Sequence, residues 1–181
     1  RRVLFRSSLD EVMHGSVRTI EVQRGDPETG ESAGHTFKVR IPTGVQAGQS
    51  IRVPGQGRAG ARGIAAGDLY LKVSYEPHPL FEARGTDLYC DLPVAPWEAV
   101  LGATVRVPTL DGPVSVRIPA GATPGQQMRL RGHGLPRTAE GGRGDLFAVV
   151  QVQFPKTLDD AERALWEKLA AVSRFKARDG E

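Results

Sequence analysis

The residues that could carry out chemistry are few and scattered in this sequence. A single cysteine, Cys90, excludes an internal disulfide and any zinc site built from several cysteines. Cys90 also falls in an alternating run, so we interpret it as a strand residue rather than a nucleophile. No serine sits in a Gly-x-Ser-x-Gly turn. The four histidines, at positions 14, 35, 78 and 133, lack the short sequence spacing that metal ligands have: His14, His35, His78 and His133 are all far apart. The sequence therefore predicts no catalytic residue, no bound metal and no cofactor.

One segment has the glycine spacing of dinucleotide-binding proteins. Gly55-Gln-Gly57-Arg-Ala-Gly60 matches Gly-x-Gly-x-x-Gly, a pattern that binds a pyrophosphate only when it joins a strand to a helix. The residues that follow include two more glycines and have no amphipathic period. We interpret the segment as a glycine-rich turn.

Composition excludes two broad classes of protein. No apolar run approaches the ~20 residues that a transmembrane helix needs, and a hydrophobic content of 39% is too high for a disordered chain. A net charge of +3 permits nucleic acid or an acidic surface as a partner without requiring either. The lone cysteine is typical of a reducing compartment, which predicts a cytoplasmic location.

The chain contains an internal repeat. The segment from Val39 to Gly57 recurs from Val116 to Gly134 at an offset of 77, with ten of 19 positions identical. The same offset superimposes Gly67-Asp-Leu69 on Gly144-Asp-Leu146. Upstream the offset is 87, so ten extra residues fall in the first copy's hairpin connection, which predicts a longer hairpin tip there. Two copies of so long a period indicate two tandem small domains.

Each copy is predicted to consist mainly of strands. Leu69 to Tyr75 and Leu146 to Phe154 alternate apolar and polar residues, as half-buried strands do. One short helix opens each copy: Ser8-Leu-Asp-Glu11 is a capping-box pattern, and Pro96 and Gly102 bracket the second helix. We predict an all-β fold of two tandem antiparallel β-sandwiches, over residues 1–79 and 80–155, followed by a helical segment over 156–181.

The helical segment has an apolar stripe. Thr157-Leu-Asp-Asp160 is typical of a capped helix start, and Leu158, Ala161, Leu165, Leu169 and Val172 share helical spacing. Such a stripe packs either on the second domain or on another copy of the chain, and spacing does not choose between them.

The first hairpin also admits two interpretations. Arg18, Ile20 and Val22 share one face of a strand, and Phe37 and Val39 share a face of its partner. These apolar residues form ordinary core, or they border an open sheet edge that accepts an extended chain by β-addition.

Several motifs together resemble one family. The repeated Val-Arg-Ile-Pro-x-Gly segments, His78-Pro-Leu-Phe81 and Trp97-Glu-Ala-Val-Leu-Gly102 are similar to the C-terminal region of DnaJ-type co-chaperones. The similarity runs from about Ser8 to about Phe175, and within the family the chain most resembles the bacterial curved-DNA-binding-protein branch.

The resemblance implies a homodimer that holds unfolded polypeptide for a DnaK-type ATPase chaperone. Carried over by position, a peptide groove falls on Arg18, Ile20 and Val22, with Phe81 at its wall. The implied dimer contacts are Leu165, Trp166, Leu169 and Phe175. DNA is the alternative partner that the branch implies, with an arginine set consisting of Arg52, Arg58, Arg62, Arg129, Arg131 and Arg137.

Three departures from the family pattern lead to further expectations. A His-Pro-Asp tripeptide is absent, so we expect this chain to be a fragment without a J-domain. No cysteine-rich module interrupts the first domain. Arg1 to Ser7 do not match the family's usual first strand, so we expect a replaced leader and an incomplete edge of the first sheet.

Overall fold

The computed structural model describes residues 2–25, 29–30, 32–58, 60, 65–138 and 141–178. Its eleven described strands and three described helices fall into two repeats of one topology, here called the first repeat (residues 2–75) and the second repeat (residues 82–152), followed by a C-terminal helix. Arg62 of the predicted arginine set lies outside the described residues.

The first repeat places one three-stranded sheet beside one long hairpin. The sheet has the order β1–β5–β4, and the hairpin joins β2 to β3. The elements are β1 (Arg2–Ser7), α1 (Leu9–His14), β2 (Ser16–Gly25), β3 (Ser32–Ile41), β4 (Ser50–Val53) and β5 (Leu69–Tyr75).

The second repeat has the same plan with one added edge strand. Its sheet has the order β10–β11–β7–β6, and its hairpin joins β8 to β9. The elements are β6 (Glu82–Arg84), β7 (Asp87–Val94), α2 (Pro96–Leu101), β8 (Ala103–Val107), β9 (Val114–Ile118), β10 (Gln127–Leu130) and β11 (Leu146–Val152); α3 (Asp160–Val172) follows.

These elements confirm the all-β fold with one short helix in each repeat and a C-terminal helix. The sheets are mixed rather than purely antiparallel, because β1 pairs parallel with β5 and β7 pairs parallel with β11. The alternation of apolar residues predicts a strand but does not state the direction of its neighbour. The domain limits at residues 79/80 and 155/156 remain predictions.

The core follows the predicted alternation. Leu69, Leu71 and Val73 of β5 are buried, while Tyr70 and Lys72 between them are exposed. The equivalent β11 residues are also buried, with half-buried residues between them, and the two short helices add the buried Val12 and Ala99 to the core. Each helix therefore contributes a buried side chain to the core immediately before its hairpin begins.

The expectation of an incomplete edge in the first sheet is wrong. Residues 2–7 form β1, which pairs with β5 from Arg2–Tyr70 to Ser7–Tyr75. Ser7 is buried, and its hydroxyl donates to Glu11 Oε2 at 3.1 Å. A strand therefore occupies the position that β7 holds in the second repeat.

Two further boundaries differ from the predictions. The prediction of a longer tip in the first hairpin is wrong: all ten extra residues lie in its strands, since β2 and β3 have ten residues each whereas β8 and β9 have five. The C-terminal helix begins two residues later than predicted, because Asp159 Oδ1 accepts the Glu162 N–H at 2.7 Å and so provides the N-cap. None of the described helices is both long and apolar enough to cross a membrane.

Candidate functional site

The β2–β3 hairpin holds three of the four predicted peptide-binding residues. Among the described strands, β2 pairs only with β3, so its other edge has no strand partner. The ladder pairs Arg18 with Val39, Ile20 with Phe37 and Val22 with His35. A ten-residue strand with no described strand neighbour on one side has the geometry that β-addition of an extended chain requires.

The three residues differ in their exposure. Arg18 is exposed, Ile20 is half-buried and Val22 is buried. Ile20 and Phe37 pack against the core from its margin, so each has one side on the core and one side accessible. Val22 belongs to the core itself. On this face of the hairpin the accessible apolar surface is therefore the Ile20–Phe37 pair, while Val17 on the opposite face of β2 is 62% exposed.

Arg18 borders this pair and is held in position by α1. Its guanidinium donates to Glu11 Oε1 at 2.7 Å and lies 5.5 Å from the centre of the Phe5 ring. Partial burial raises the pKa of Glu11, but hydrogen bonds from Arg18, the Ser8 N–H and Ser7 outweigh it, so this pKa lies below its usual value. Glu11 is thus an anion that orients Arg18.

Arg24 anchors the far end of the hairpin. Its Nε donates to the Gly57 carbonyl at 3.0 Å, and its second nitrogen donates to the Gly55 carbonyl at 2.7 Å. The glycine-rich turn with the dinucleotide spacing therefore joins strands and accepts an arginine side chain. No sequence pattern predicted these contacts, because Gly55 and Gly57 lie more than 30 positions from Arg24.

Phe81, the fourth predicted peptide-binding residue, lies in a different part of the molecule. It precedes β6, is buried, and its ring lies 4.9 Å from the His78 ring. His78 Nδ1 accepts the N–H groups of Leu80 and Phe81 at 3.1 and 3.3 Å. The His-Pro-Leu-Phe motif is thus a turn that fixes the entry into the second sheet.

Two aspartates at equivalent positions hold the glycine-rich turns. Asp68 accepts the Gly55 N–H, and Asp145 accepts the Gly132 N–H at 2.9 Å. These backbone hydrogen bonds, followed by those from Arg52 and Arg129, lower the pKa of Asp68 and Asp145 below its usual value. Two arginines of the predicted DNA-binding set are therefore paired with carboxylates.

A second apolar surface lies between α2 and α3. The two helices border a groove of about 570 Å³, and the rings of Trp97 and Trp166 lie 6.4 Å apart across it. α3 has no buried residue, and Phe175 beyond it is 81% exposed. The groove is lined by Pro96, Trp97, Val100, Leu101, Leu165, Trp166 and Leu169, together with Glu162.

Sequence reasoning identified the α3 side of this groove but missed the α2 side. The signal was in the repeat: α2 has Trp97 and Leu101 where α1 has Asp10 and His14. All four are exposed, so the fold does not require apolar residues at these positions. A comparison of the two copies would have revealed the difference.

The family follows from a direct comparison. A model of the DnaJ C-terminal domain matches residues 2–155. The chain belongs to this family. It is 41% identical over 175 residues to the "Curved DNA-binding protein" of Coxiella burnetii strain Dugway 5J108-111, covering 94% of this chain and 55% of that protein.

Two other relatives of this chain have different protein names. The "Curved DNA-binding protein" of Serratia proteamaculans is 50% identical over 139 residues, which cover 77% of this chain and 44% of the relative. "Chaperone protein DnaJ 2" of Mycolicibacterium paratuberculosis is 48% identical over 144 residues, which cover 80% and 36%. The chain therefore spans about half the length of the curated relatives named curved DNA-binding proteins.

The possible metal-ligating side chains are dispersed among the described residues. Within them, no group of three or more His, Cys, Asp or Glu side chains lies close enough to hold an ion. Cys90 is buried, and burial followed by the nearby Asp91 charge raises the pKa of its thiol to about 11.

Proposed function

We propose that this chain binds extended, apolar segments of unfolded polypeptides along β2. The observation that carries the proposal is that β2 has no described strand neighbour on one side and that the half-buried Ile20–Phe37 pair lies beside this edge. Backbone hydrogen bonds to the edge supply affinity that is independent of sequence, and the apolar pair selects hydrophobic side chains. Family membership supports this function.

The proposed partner is a DnaK-type ATPase chaperone. In this proposal the full-length protein captures the client and the ATPase receives it, so the chain itself is a non-enzymatic, cytoplasmic binding module. The name "Chaperone protein DnaJ 2" of one relative supports the co-chaperone role.

We also propose that the groove between α2 and α3 is covered by a second copy of the chain. Val100, Leu101 and Leu165 are each more than 60% exposed, and Trp97 is about half exposed. Contiguous apolar surface on this scale marks an interaction site. A two-fold axis through this surface would pair α2 of each copy with α3 of the other. The same residues of both copies would then form the interface.

Dimerisation would increase the affinity for clients. Burial of one Leu-sized side chain contributes ~1.5–3 kcal/mol, so a single shallow site binds weakly. Two sites in one particle raise the effective concentration for a client that reaches both.

DNA is the second candidate partner, favoured by the name "Curved DNA-binding protein" that several relatives have. All five described arginines of the predicted set are exposed, namely Arg52, Arg58, Arg129, Arg131 and Arg137. Arg52 and Arg129 face Asp68 and Asp145 at 2.7 and 2.6 Å, which reduces the charge they offer to phosphates.

Salt dependence separates the two candidates. We would titrate a labelled apolar peptide and a labelled DNA duplex with the protein by fluorescence anisotropy at low and high salt. Peptide binding that changes little with salt supports client capture, because apolar contacts release few counterions. DNA binding that falls steeply with salt, without a peptide signal, would transfer the function to the arginines.

A further inference from the structure

The turn at residues 42–45 of the first repeat meets a loop of the second repeat. Gly44 is buried in this turn with φ +74°, and its N–H donates to the Val12 carbonyl at 2.8 Å. A Cβ atom added to Gly44 would lie 2.7 Å from the Pro136 carbonyl oxygen and 3.2 Å from Thr138 Cγ2. The backbones of the two repeats therefore approach each other as closely as glycine permits.

The loop that reaches Gly44 is firmly attached to its own repeat. Leu135 is buried, and its N–H donates to the Thr86 carbonyl at 2.7 Å. The Arg137 N–H donates to the Gly142 carbonyl at 3.0 Å, which closes the loop. At its base Arg143 donates to the Gly134 carbonyl and, at 2.6 Å, to Asp111 of the β8–β9 turn. These hydrogen bonds hold the described residues of the loop, 134–138 and 141–143, in the second repeat.

The repeat supplies a comparison for the turn itself. Gly121 is the equivalent of Gly44: its φ is +78°, and its N–H donates to the Ala99 carbonyl at 2.9 Å. Among the described residues, no heavy atom beyond its chain neighbours lies within 4 Å of a Cβ added there. The local conformation is thus the same, and of these two glycines only Gly44 has a described neighbour from the other repeat.

We infer that the Pro136–Thr138 segment and the 42–45 turn form an interface that clamps the two repeats in one relative orientation. The occupant of each surface is the other repeat of the same chain. The clamp holds the β2–β3 hairpin at a fixed position relative to α2 and α3. This inference is independent of the proposed client and dimer functions, because it concerns only the arrangement of the repeats.

Gly44→Ala tests the clamp, with Gly121→Ala as the matched control. Both variants place an L-residue at the same positive φ, so both carry the same local strain. Only the Gly44→Ala methyl group collides with Pro136, which must retreat by about 0.7 Å, from 2.7 Å to the ordinary 3.4 Å contact. Gly44→Asn and Gly121→Asn repeat the comparison with a residue that tolerates this backbone region better.

The measurement is the distance between spin labels at Ser50→Cys and Gln127→Cys, which are exposed and equivalent positions in the two sheets. Labelled protein is diluted with unlabelled protein so that only distances within one chain contribute. Buried Cys90 remains unlabelled under native conditions.

We expect one narrow distance distribution in the parent and in Gly121→Ala. In Gly44→Ala and Gly44→Asn the distribution should broaden and shift by more than 0.7 Å, the local relaxation that the contact itself requires. Equal distributions in the Gly44 and Gly121 variants would overturn the inference. A distribution in the parent as broad as in the Gly44 variants would also overturn it.

Discussion

Ile20 lies directly across the β2–β3 ladder from Phe37, where the second repeat has Val107 across from Val114. Val107 is completely buried, whereas Ile20 is only half-buried. β2 and β3 continue beyond the Ile20–Phe37 pair, whereas Val107 ends β8 and Val114 begins β9. The first repeat therefore exposes an apolar pair that the second repeat buries in part.

This difference predicts a specific effect of Ile20→Ala. The variant should weaken the binding of an extended apolar peptide by about three- to tenfold, since part of the Ile20 side chain is already buried before a client binds. Val107→Ala, at the equivalent position, should lower the free energy of unfolding without changing peptide affinity. Anisotropy titrations and urea unfolding of both variants measure these two effects.

Equal peptide affinity of Ile20→Ala and the parent would exclude the Ile20–Phe37 pair from the client site. A charged substitution such as Ile20→Asp is a poorer test, because Ile20 packs against the core and a carboxylate there would also destabilise the fold.

The dimer proposal predicts a different response on α3. Leu169→Asp should produce monomers at concentrations where the parent is dimeric, with a dissociation constant raised about 100-fold or more, because the two-fold axis places the change in the interface twice. Ala171→Asp, on the opposite face of the helix, adds the same charge near the same helix end and should leave the dimer intact. Sedimentation velocity across a concentration series measures both; a Leu169→Asp dimer as stable as the parent would contradict the proposal.

The lowered pKa of Asp145 predicts a pH dependence of stability. Its usual value is 3.8 and the native value lies below it, because the Gly132 N–H and Arg129 stabilise the carboxylate. The contribution of Asp145 is therefore fully present well above pH 3.8 and is lost as the pH falls through the native pKa. We expect Asp145→Asn to be less stable than the parent at pH 7 and to lose less stability on acidification.

Urea unfolding at pH 7, 4 and 3 checks the Asp145 prediction. If the free energies of unfolding of the parent and Asp145→Asn differ by the same amount at all three pH values, the prediction is wrong. Protonation of Asp145 would then have no effect on stability.

The repeat and its strands could be predicted because they depend on local patterns. The alternation in β5 and β11, the turn of Asp111 and Gly112, and the hydrogen bonds between Ser8 and Glu11 at 3.0 and 3.2 Å all follow from residues close in sequence. The parallel pairing of β1 with β5 was not predictable in this way, because it joins segments more than 60 residues apart.

The site was only partly predictable for the same reason. Alternation places Ile20 and Val22 on one face of β2, but the depth of each depends on the elements that cover the hairpin, so Val22 proved to be core. The contacts of Arg24 with the glycine-rich turn and of Gly44 with Pro136 bring together residues from distant parts of the chain. Neither contact has a signature in local sequence.

The central claim is that a client adds to the free edge of β2, and amide hydrogen exchange with and without a saturating apolar peptide tests it most directly. About half of the β2 amides face β3, so the others are available to a new strand. We expect the peptide to slow exchange at alternate residues between Val17 and Arg24 and to leave Ala103–Val107 of β8 unchanged. Peptide binding that protects β8 or the α2–α3 groove instead, with β2 unaffected, would contradict the claim.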